Sequence, residues 1–475
     1  MTTRMAILLV VLVYASRALA QSAPVSPDYP WHAPAERKIE ADAEKLANTR
    51  FTMDPAKTYD LAELVDLAEQ HNPQTRVAWQ NAKAQAAALG VAKSELFPTI
   101  AAAALSETDR SQEFVETRFF RQTTQDFQVA LDLNYIVFDF GARAGRINAA
   151  RAKVLAANFA FNDTHRNVIY QVEQAYYQLL SAMGQEDAAQ ASLSNAQAVQ
   201  QAAEERLNNG LATLPDVLEA RSATAQAEYE LQAVLGAEEI TRGNLATALG
   251  TSPTIAIHVQ PLKELALPDA ISDTVELAID RAFTQRPDLT RQLAEIRSAN
   301  ARVKEARAAF YPSLNLDAVP IAQSIYGLQQ NLPSGHTAGL VGGLQLSLNW
   351  TVFDGGARRN NLAKAQASVR AAEAQASVAR DQIADQVWTA YSNLNTAFRQ
   401  RQAAVALLAA ASQSYDAALE SYNYGLRNLL DVTAAQRTLA LARTADVLAR
   451  TRVLSSLAEL AFRTADSIQT NATRP

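Results

Sequence analysis

Side chains that could carry catalysis or bind metal ions are few and scattered in this chain. It has no cysteine, which excludes thiol catalysis, disulfides and cysteine metal sites. Its five histidines show neither metal-ligand spacing nor a partner motif. They are His32, His71, His165, His258 and His336. Phosphate loops and nucleophile elbows are also absent from the sequence. The sequence therefore predicts that the protein is not an enzyme and needs neither a cofactor nor a metal ion.

The charge distribution excludes a second class of function. The formal net charge is −6, and acidic and basic residues are mixed along the chain rather than collected in blocks. A nucleic-acid-binding protein would carry a basic stripe, which this sequence lacks. Acidic pairs such as Glu204-Glu205 and Glu238-Glu239 are typical of solvated helix faces. We expect no nucleic-acid partner.

The N-terminus has the form of a secretory signal. Arg4 supplies the positive start, residues 5–14 are apolar, and Ala18-Leu19-Ala20 is a cleavage site. We expect the mature chain to begin near Gln21, which is not a cysteine and so offers no N-terminal lipid anchor. No later apolar run reaches the roughly 20 residues that a membrane-spanning helix needs. These features predict an exported protein without a helical membrane span.

An internal duplication organises the rest of the chain. The segment from Phe138 to Arg143 recurs 215 residues later, from Phe353 to Arg358. Asp216-Val217 recurs as Asp431-Val432 at the same offset. A period of this length exceeds that of any solenoid, whose repeats run roughly 20–50 residues, and indicates a duplicated domain. The predicted segments are a signal peptide (1–20), an extended N-terminal segment (21–58), a first repeat (59–250), a linker (251–272), a second repeat (273–465) and a disordered tail (466–475).

Each repeat is predicted to contain helices, two strands and a long helical hairpin, in that order. Pro98 and Pro312 end the first helices, because proline cannot donate the next helical hydrogen bond. The strands are predicted near 99–108, 124–138, 313–320 and 340–353, and the hairpins over 142–249 and 357–465.

Apolar and polar residues alternate in the second strand of each repeat. The apolar positions are Phe127, Val129, Leu131, Leu133 and Tyr135, and then Leu344, Leu346, Leu348 and Trp350. Such alternation with terminal aromatics is typical of a membrane barrel strand that faces lipid on one side and water on the other. A half-buried strand of a soluble sheet has the same period, so the pattern leaves both interpretations open.

The hairpins begin with unusually long helices. Residues 142–208 and 357–423 contain no proline, and a helix of this length would reach roughly 100 Å. Apolar residues recur every seven positions in both, a spacing that favours supercoiling against neighbouring helices. Gly210 and Gly425 follow these helices and predict the turns, because glycine readily takes the left-handed conformation at a helix end.

Four strands cannot close a membrane barrel alone, since the smallest single-chain barrels have eight. If the strands enter lipid, several chains must pool them. This plan resembles the TolC-like outer-membrane efflux proteins, the outer membrane factors of tripartite export systems. The resemblance rests on Asn72-Pro73, Phe97-Pro98, Tyr311-Pro312, the two Phe-Asp-x-Gly segments and the Asp-Val segments that follow Gly210 and Gly425.

The resemblance implies a fold, a location and partners. The fold is mainly α, with tandem coiled-coil hairpins and four strands per chain. A homotrimer would form a 12-stranded barrel in outer-membrane lipid, continuous with a periplasmic α-helical tunnel. The duct would be passive and would dock to a periplasmic adaptor protein and an inner-membrane efflux or secretion pump. The alternative function is a soluble periplasmic coiled-coil adaptor or scaffold.

The resemblance also implies a periplasmic gate near the second hairpin turn. Tyr422, Arg427 and Asp431 match its positions, and Asp216, the duplicate of Asp431 in the first repeat, is a fourth candidate gate residue. Ala434 stands where some relatives carry a second acid, so only one ring of aspartates is expected. Helix capping is the alternative role of both aspartates, and packing is the alternative role of Tyr422.

Overall fold

The computed structural model describes residues 28, 36–47, 51, 53–54, 56–115, 118–262, 265, 267, 274–330 and 333–466. The chain divides into residues 1–53 and residues 54–475. The predicted signal peptide and all but the first residue of the predicted tail lie outside the described residues. No helix among the described residues is long and apolar enough to cross a membrane.

The first unit contains helix α1, from Glu36 to Ala47. The sequence predicted an extended segment here, and that prediction is wrong for these residues. Glu, Lys, Ala and Leu make up most of α1, and all four are strong helix formers. Glu36 lies in its first turn and Lys45 in its last, which complements the helix dipole.

The second unit is dominated by helices in two similar series. The first series is α2 (Leu61–His71), α3 (Pro73–Ser94), α4 (Ala142–Asn208) and α5 (Leu214–Ala248). The second is α6 (Val275–Gln285), α7 (Pro287–Ala308), α8 (Ala357–Asn423) and α9 (Leu429–Thr464). Helices α4 and α8 each have 67 residues, so each extends about 100 Å. Each pairs with the helix that follows it, and α4 also packs against α9.

Two strands follow the second helix of each series, and the four strands form one antiparallel sheet. Its strands are β2 (Thr99–Val115), β3 (Arg118–Phe138), β5 (Ser313–Gln329) and β6 (Gly335–Asn349), in the order β2-β3-β5-β6. Strands β2, β3 and β5 extend well beyond their predicted ends or starts, because their far halves lack the apolar alternation that marked the near halves. Strand β6 begins at Gly335 rather than near 340, and the prediction that it continues to 353 is wrong, since it ends at Asn349. A second sheet, not predicted, pairs β1 (Thr58–Tyr59) with β4 (His258–Val259) in parallel.

The duplicated Phe-Asp-x-Gly segments form the corners between sheet and hairpin. The Asp139 carboxylate accepts hydrogen bonds from the backbone N–H of Gly141 at 3.2 Å and of Arg143 at 2.7 Å. The Arg143 Nε returns to the same carboxylate at 3.1 Å. Asp354 makes the corresponding bonds in the second repeat. These bonds satisfy N–H groups that the first helical turn leaves unpaired, so each corner holds a long helix onto a strand.

The core of the hairpins is built from the predicted seven-residue series. From Val168 and Ile383 towards the turns, its members are buried or half-buried, and most are alanine. Gly184 shows how closely the helices approach, because a Cβ atom there would lie 2.6 Å from Cγ1 of Val447 on α9. Small residues thus let α4 and α9 pack with little space between their backbones.

Candidate functional site

Both hairpin turns have the same backbone geometry. Gly210 and Gly425 have φ values of +74° and +76°. In the first turn the N–H of Gly210 donates to Leu207 O at 3.0 Å and the N–H of Leu211 to Arg206 O at 2.8 Å. The second turn makes the matching pair of bonds around Gly425. This Schellman pattern satisfies the last helical carbonyls and requires a left-handed residue, so both turn glycines are placed as predicted.

Tyr422 lies at the junction of the two hairpin ends. Its side chain is 4 % exposed and packs in a cluster of buried residues from α4, α5, α8 and α9. The Arg206 guanidinium of α4 lies over its ring, 4.7 Å from the centroid. Arg206 Nη1 donates to the carbonyls of Tyr422 at 2.8 Å and Asn423 at 3.1 Å. One arginine of the first repeat thus holds the end of the long helix of the second.

Asp216 lies close to this junction but uses its carboxylate locally. The backbone N–H and the hydroxyl of Thr213 both donate to it, at 2.8 and 2.7 Å. It therefore stabilises the start of α5, as in a capping box. Burial raises the pKa of the Tyr422 phenol, while Arg206 opposes that rise and Asp216 adds to it.

Asp431 and Arg427 are both exposed at the second hairpin end. The alternative that Asp431 caps its helix is wrong, because Asn428 is the N-cap and its side chain accepts the N–H of Asp431 at 2.9 Å. Within the described part of the chain, neither the Asp431 carboxylate nor the Arg427 guanidinium has a recorded partner. The structure thus brings Tyr422 and Asp216 together and leaves Arg427 and Asp431 facing outward.

Arg206 was missed by the sequence interpretation, although a signal for it exists. At the 215-residue offset, Arg206 corresponds to Ser421 and Tyr422 corresponds to Leu207. Both members of the contact are therefore departures from the repeat. Two residues that differ from their duplicates and contact each other indicate a place where the two repeats bind each other.

The predicted apolar strand positions share one face of the sheet. Register pairs Tyr135 with Leu316 and Leu316 with Leu346, so their side chains lie on the same side. We call this side the apolar face. Most of the predicted positions on it are exposed, among them Leu344 at 75 %, whereas Leu133 and Tyr135 are half-buried.

Trp350 is the only one of the predicted apolar strand positions that lies outside the strands. It lies one residue beyond β6, whose last pair is Asn349 with Ser313. The ladder stops there because Pro312, before Ser313, has no N–H to donate. The indole Nε1 of Trp350 instead donates to Phe310 O at 3.2 Å. Trp350 thus joins the end of the sheet to the residues after α7.

A family model described as outer membrane efflux protein matches this chain twice, over residues 64–251 and 278–465. The chain belongs to this family. Protein CyaE of Bordetella pertussis is 30% identical over 404 residues, which cover 84% of this chain and 83% of that protein. Outer membrane protein OprJ of Pseudomonas aeruginosa is 25% identical over 419 residues, covering 86% and 83% of the two chains.

Solved structures show the same fold as this outer membrane efflux protein. The outer-membrane channel OprN superposes with a TM-score of 0.75 at 21% identity, covering 88% of this chain and 95% of that one. Family membership identifies the chain as a TolC-like protein of the outer membrane, with its helical part in the periplasm, and sets aside the soluble adaptor or scaffold.

One carboxyl pair in the first hairpin of this efflux protein makes stability depend on pH. A hydrogen bond to Glu238 is the largest cause that raises the pKa of Glu186 from 4.5 to about 7. The folded state therefore keeps a proton that the unfolded chain releases near pH 4.5, so the free energy of unfolding falls as pH rises from 4.5 to about 7. We expect Glu186→Gln to weaken this fall, measured as the melting temperature at pH 5 and pH 8.

Glu230→Gln is the matched control, because Glu230 is exposed on α5 and bonded to Gln226. It is expected to keep the wild-type pH dependence. If Glu186→Gln melts with the same pH dependence as the wild type, the pair does not hold the proton.

Proposed function

We propose that three copies of this chain form a passive duct through the outer membrane. Substrates would be delivered by an inner-membrane pump through a periplasmic adaptor, as the resemblance to tripartite systems implies. The protein itself performs no chemistry, needs no cofactor and binds no nucleic acid. The observation that carries the proposal is a sheet with one exposed apolar face and two free edges at one end of helical hairpins about 100 Å long.

The free edges argue for assembly. Strands β2 and β6 each pair with one neighbour, so their outer edges carry unpaired backbone groups within the chain. Open edges are not tolerated in hydrocarbon, because each unpaired N–H or C=O costs several kcal/mol there. Pairing β2 of one chain with β6 of the next removes every edge. Three chains of four strands give the 12-stranded barrel of the TolC-like proteins.

The two faces of the sheet fit the two sides of such a barrel. The apolar face, with Leu131 and Leu344 among its exposed residues, would contact lipid. The opposite face carries Asp132, Asn134 and Gln345 and would line the water-filled lumen. This division into a lipid side and a water side is the pattern of membrane barrels.

The helical end would form the closed entrance of the tunnel. Three-fold symmetry would place three Asp431 carboxylates around one axis, where they repel each other and attract cations. Arg427 would bind a neighbouring chain through a charge-assisted hydrogen bond. Support comes from the exposure of both side chains and from the lack of a recorded partner for either among the described residues.

Conductance in planar bilayers tests the gate. Replacing Asp431 and Arg427 together by alanine is expected to raise the resting conductance of the purified protein, because the inter-chain bonds are lost. Arg221→Ala with Glu230→Ala is the matched control, since both side chains are exposed and bond within the first hairpin of their own chain. An unchanged conductance in the double variant would exclude the Asp431 ring as a gate.

A further inference from the structure

Among the strand residues with described side chains, acidic and basic side chains lie on opposite faces of the sheet. Ser106 pairs with Phe127, so alternate residues Arg110 on β2 and Arg121 on β3 continue the apolar face. Among the strand residues with described side chains, no aspartate or glutamate shares that face. The acids on the opposite face are Glu107, Asp109, Asp126, Asp132 and Asp317. The two arginines thus lie on the opposite side of the sheet from every described carboxylate of its strands.

An aromatic group marks a level on the apolar face. Tyr326 stacks on His336 with ring centroids 4.2 Å apart, and it meets Phe127 edge-on at 6.3 Å. From Phe127 towards the helices the face carries no charged side chain among the described residues. Beyond Tyr326 it carries Arg110 and Arg121, together with the exposed apolar side chains of Phe114, Phe119 and Leu328. Aromatic side chains of membrane barrels concentrate at the boundary between hydrocarbon and headgroups. Because the first charged residues of the face lie beyond this group, the group marks the outer limit of the hydrocarbon layer in the proposed barrel.

Both arginines lie just beyond that limit, at the end of the sheet away from the periplasmic helices. Tyr326 pairs with Gln125, whereas Arg110 pairs with Thr123, two residues farther along, and Arg121 lies four residues farther. With about 3.4 Å per residue and a strand tilt near 40°, these positions are about 5 and 10 Å above the aromatic level. That is the depth of the lipid headgroups in the outer leaflet.

The arginines are arranged to share an anion. Arg110 and Arg121 are diagonal neighbours on the same face, so their Cα atoms are about 7–8 Å apart. Both side chains are exposed, and no ion pair or hydrogen bond to a described residue is recorded for either guanidinium. Two neighbouring cations without a counter-charge repel each other, and an anion between them removes that cost. The planar guanidinium matches the oxygens of a phosphate in a bidentate geometry.

We propose that Arg110 and Arg121 bind the phosphate groups of a phosphorylated glycolipid in the outer leaflet. The site rests on the proposed barrel, which places the apolar face in lipid and repeats the arginine pair three times around it. Each bound lipid would extend its acyl chains along the apolar face, from Phe127 towards the helices. The duct would then select this lipid around its outer end. Two charged contacts per chain would fix the depth of the duct in the membrane.

Native mass spectrometry of the detergent-purified protein, titrated with bisphosphorylated lipid A, tests this site. Arg110→Gln with Arg121→Gln is expected to weaken lipid A binding at least about tenfold, the equivalent of 1.4 kcal/mol. Lipid A without its phosphates should bind the wild type as weakly as bisphosphorylated lipid A binds the Arg110→Gln, Arg121→Gln variant. Arg110→Lys with Arg121→Lys keeps the charge without the bidentate geometry and should bind with intermediate affinity.

Gln112→Ala with Gln125→Ala is the matched control, because these residues lie on the same face and carry no charge. It should bind lipid A as the wild type does. Equal affinity of the wild type and the glutamine variant would overturn the site, and so would displacement of lipid A by an equal concentration of inorganic phosphate. Bilayer conductance of the same samples separates the two proposals. Protein that conducts but binds lipid A equally well with and without phosphates contradicts only the lipid site. Protein that neither assembles nor conducts contradicts the duct.

Discussion

Replacing Arg206 by alanine is expected to open the resting duct. Arg206 bonds the carbonyls of Tyr422 and Asn423 and lies over the Tyr422 ring, so it holds the second hairpin end against the first. A hydrogen bond to a charged group contributes about 1.5–3 kcal/mol. Losing it is expected to shift the equilibrium between closed and open states about 10- to 100-fold towards open. Single-channel recordings in planar bilayers measure that shift directly.

Arg221→Ala is the matched control for this experiment. Arg221 pairs with Glu204 inside the first hairpin and is largely exposed, and such surface pairs contribute about 0–1 kcal/mol. Its removal is expected to leave the open fraction unchanged. If Arg206→Ala lowers the melting temperature without changing the conductance, the contact supports only the fold of the hairpin ends.

Replacing Leu344 by arginine is expected to prevent assembly in the membrane. Leu344 is 75 % exposed and lies midway along the apolar part of β6, between Leu340 and Leu348. An arginine on the lipid face near the bilayer midplane costs about 2–4 kcal/mol per chain, and a trimer incurs that cost three times. We expect the membrane-inserted oligomer to fall to background levels, measured by fractionation and semi-native electrophoresis.

The neighbouring residue provides the control. Gln345 points to the opposite face and pairs with Asp317, so Gln345→Arg places its charge beside a carboxylate in the proposed lumen. That variant is expected to assemble as the wild type does. Equal loss of oligomer in both variants would show that the apolar face does not contact lipid.

The sequence predicted the repeated plan because its signals are local. Alternation over Phe127–Tyr135, proline-free helices and turn glycines each report on a few neighbouring residues. The far ends of β2 and β3, residues 109–115 and 118–123, were missed. In β2, consecutive polar residues from Asp109 to Gln112 occupy both faces and show no period. The α1 helix was missed because flanking prolines outweighed the helix-forming residues between them.

Local sequence patterns could not predict the contacts between the two repeats. Arg206 and Tyr422 are separated by 216 residues along the chain, and duplication predicts similarity between repeats, not binding. The duplicated Asp139 and Asp354 were recognised as a motif, but their bonds to the helix N-terminus required the corner geometry. The sequence did not identify Asn428 as the N-cap of α9, because the capping role was assigned to Asp431, which also matched an expected gate position.

The mass of the detergent-extracted protein tests the central proposal most directly. Size-exclusion chromatography with light scattering, after membrane fractionation, gives that mass without a reference protein. The proposal predicts a membrane-bound particle with three times the mass of one mature chain. A monomer that extracts in aqueous buffer would leave the edges of β2 and β6 unpaired and would contradict the shared barrel.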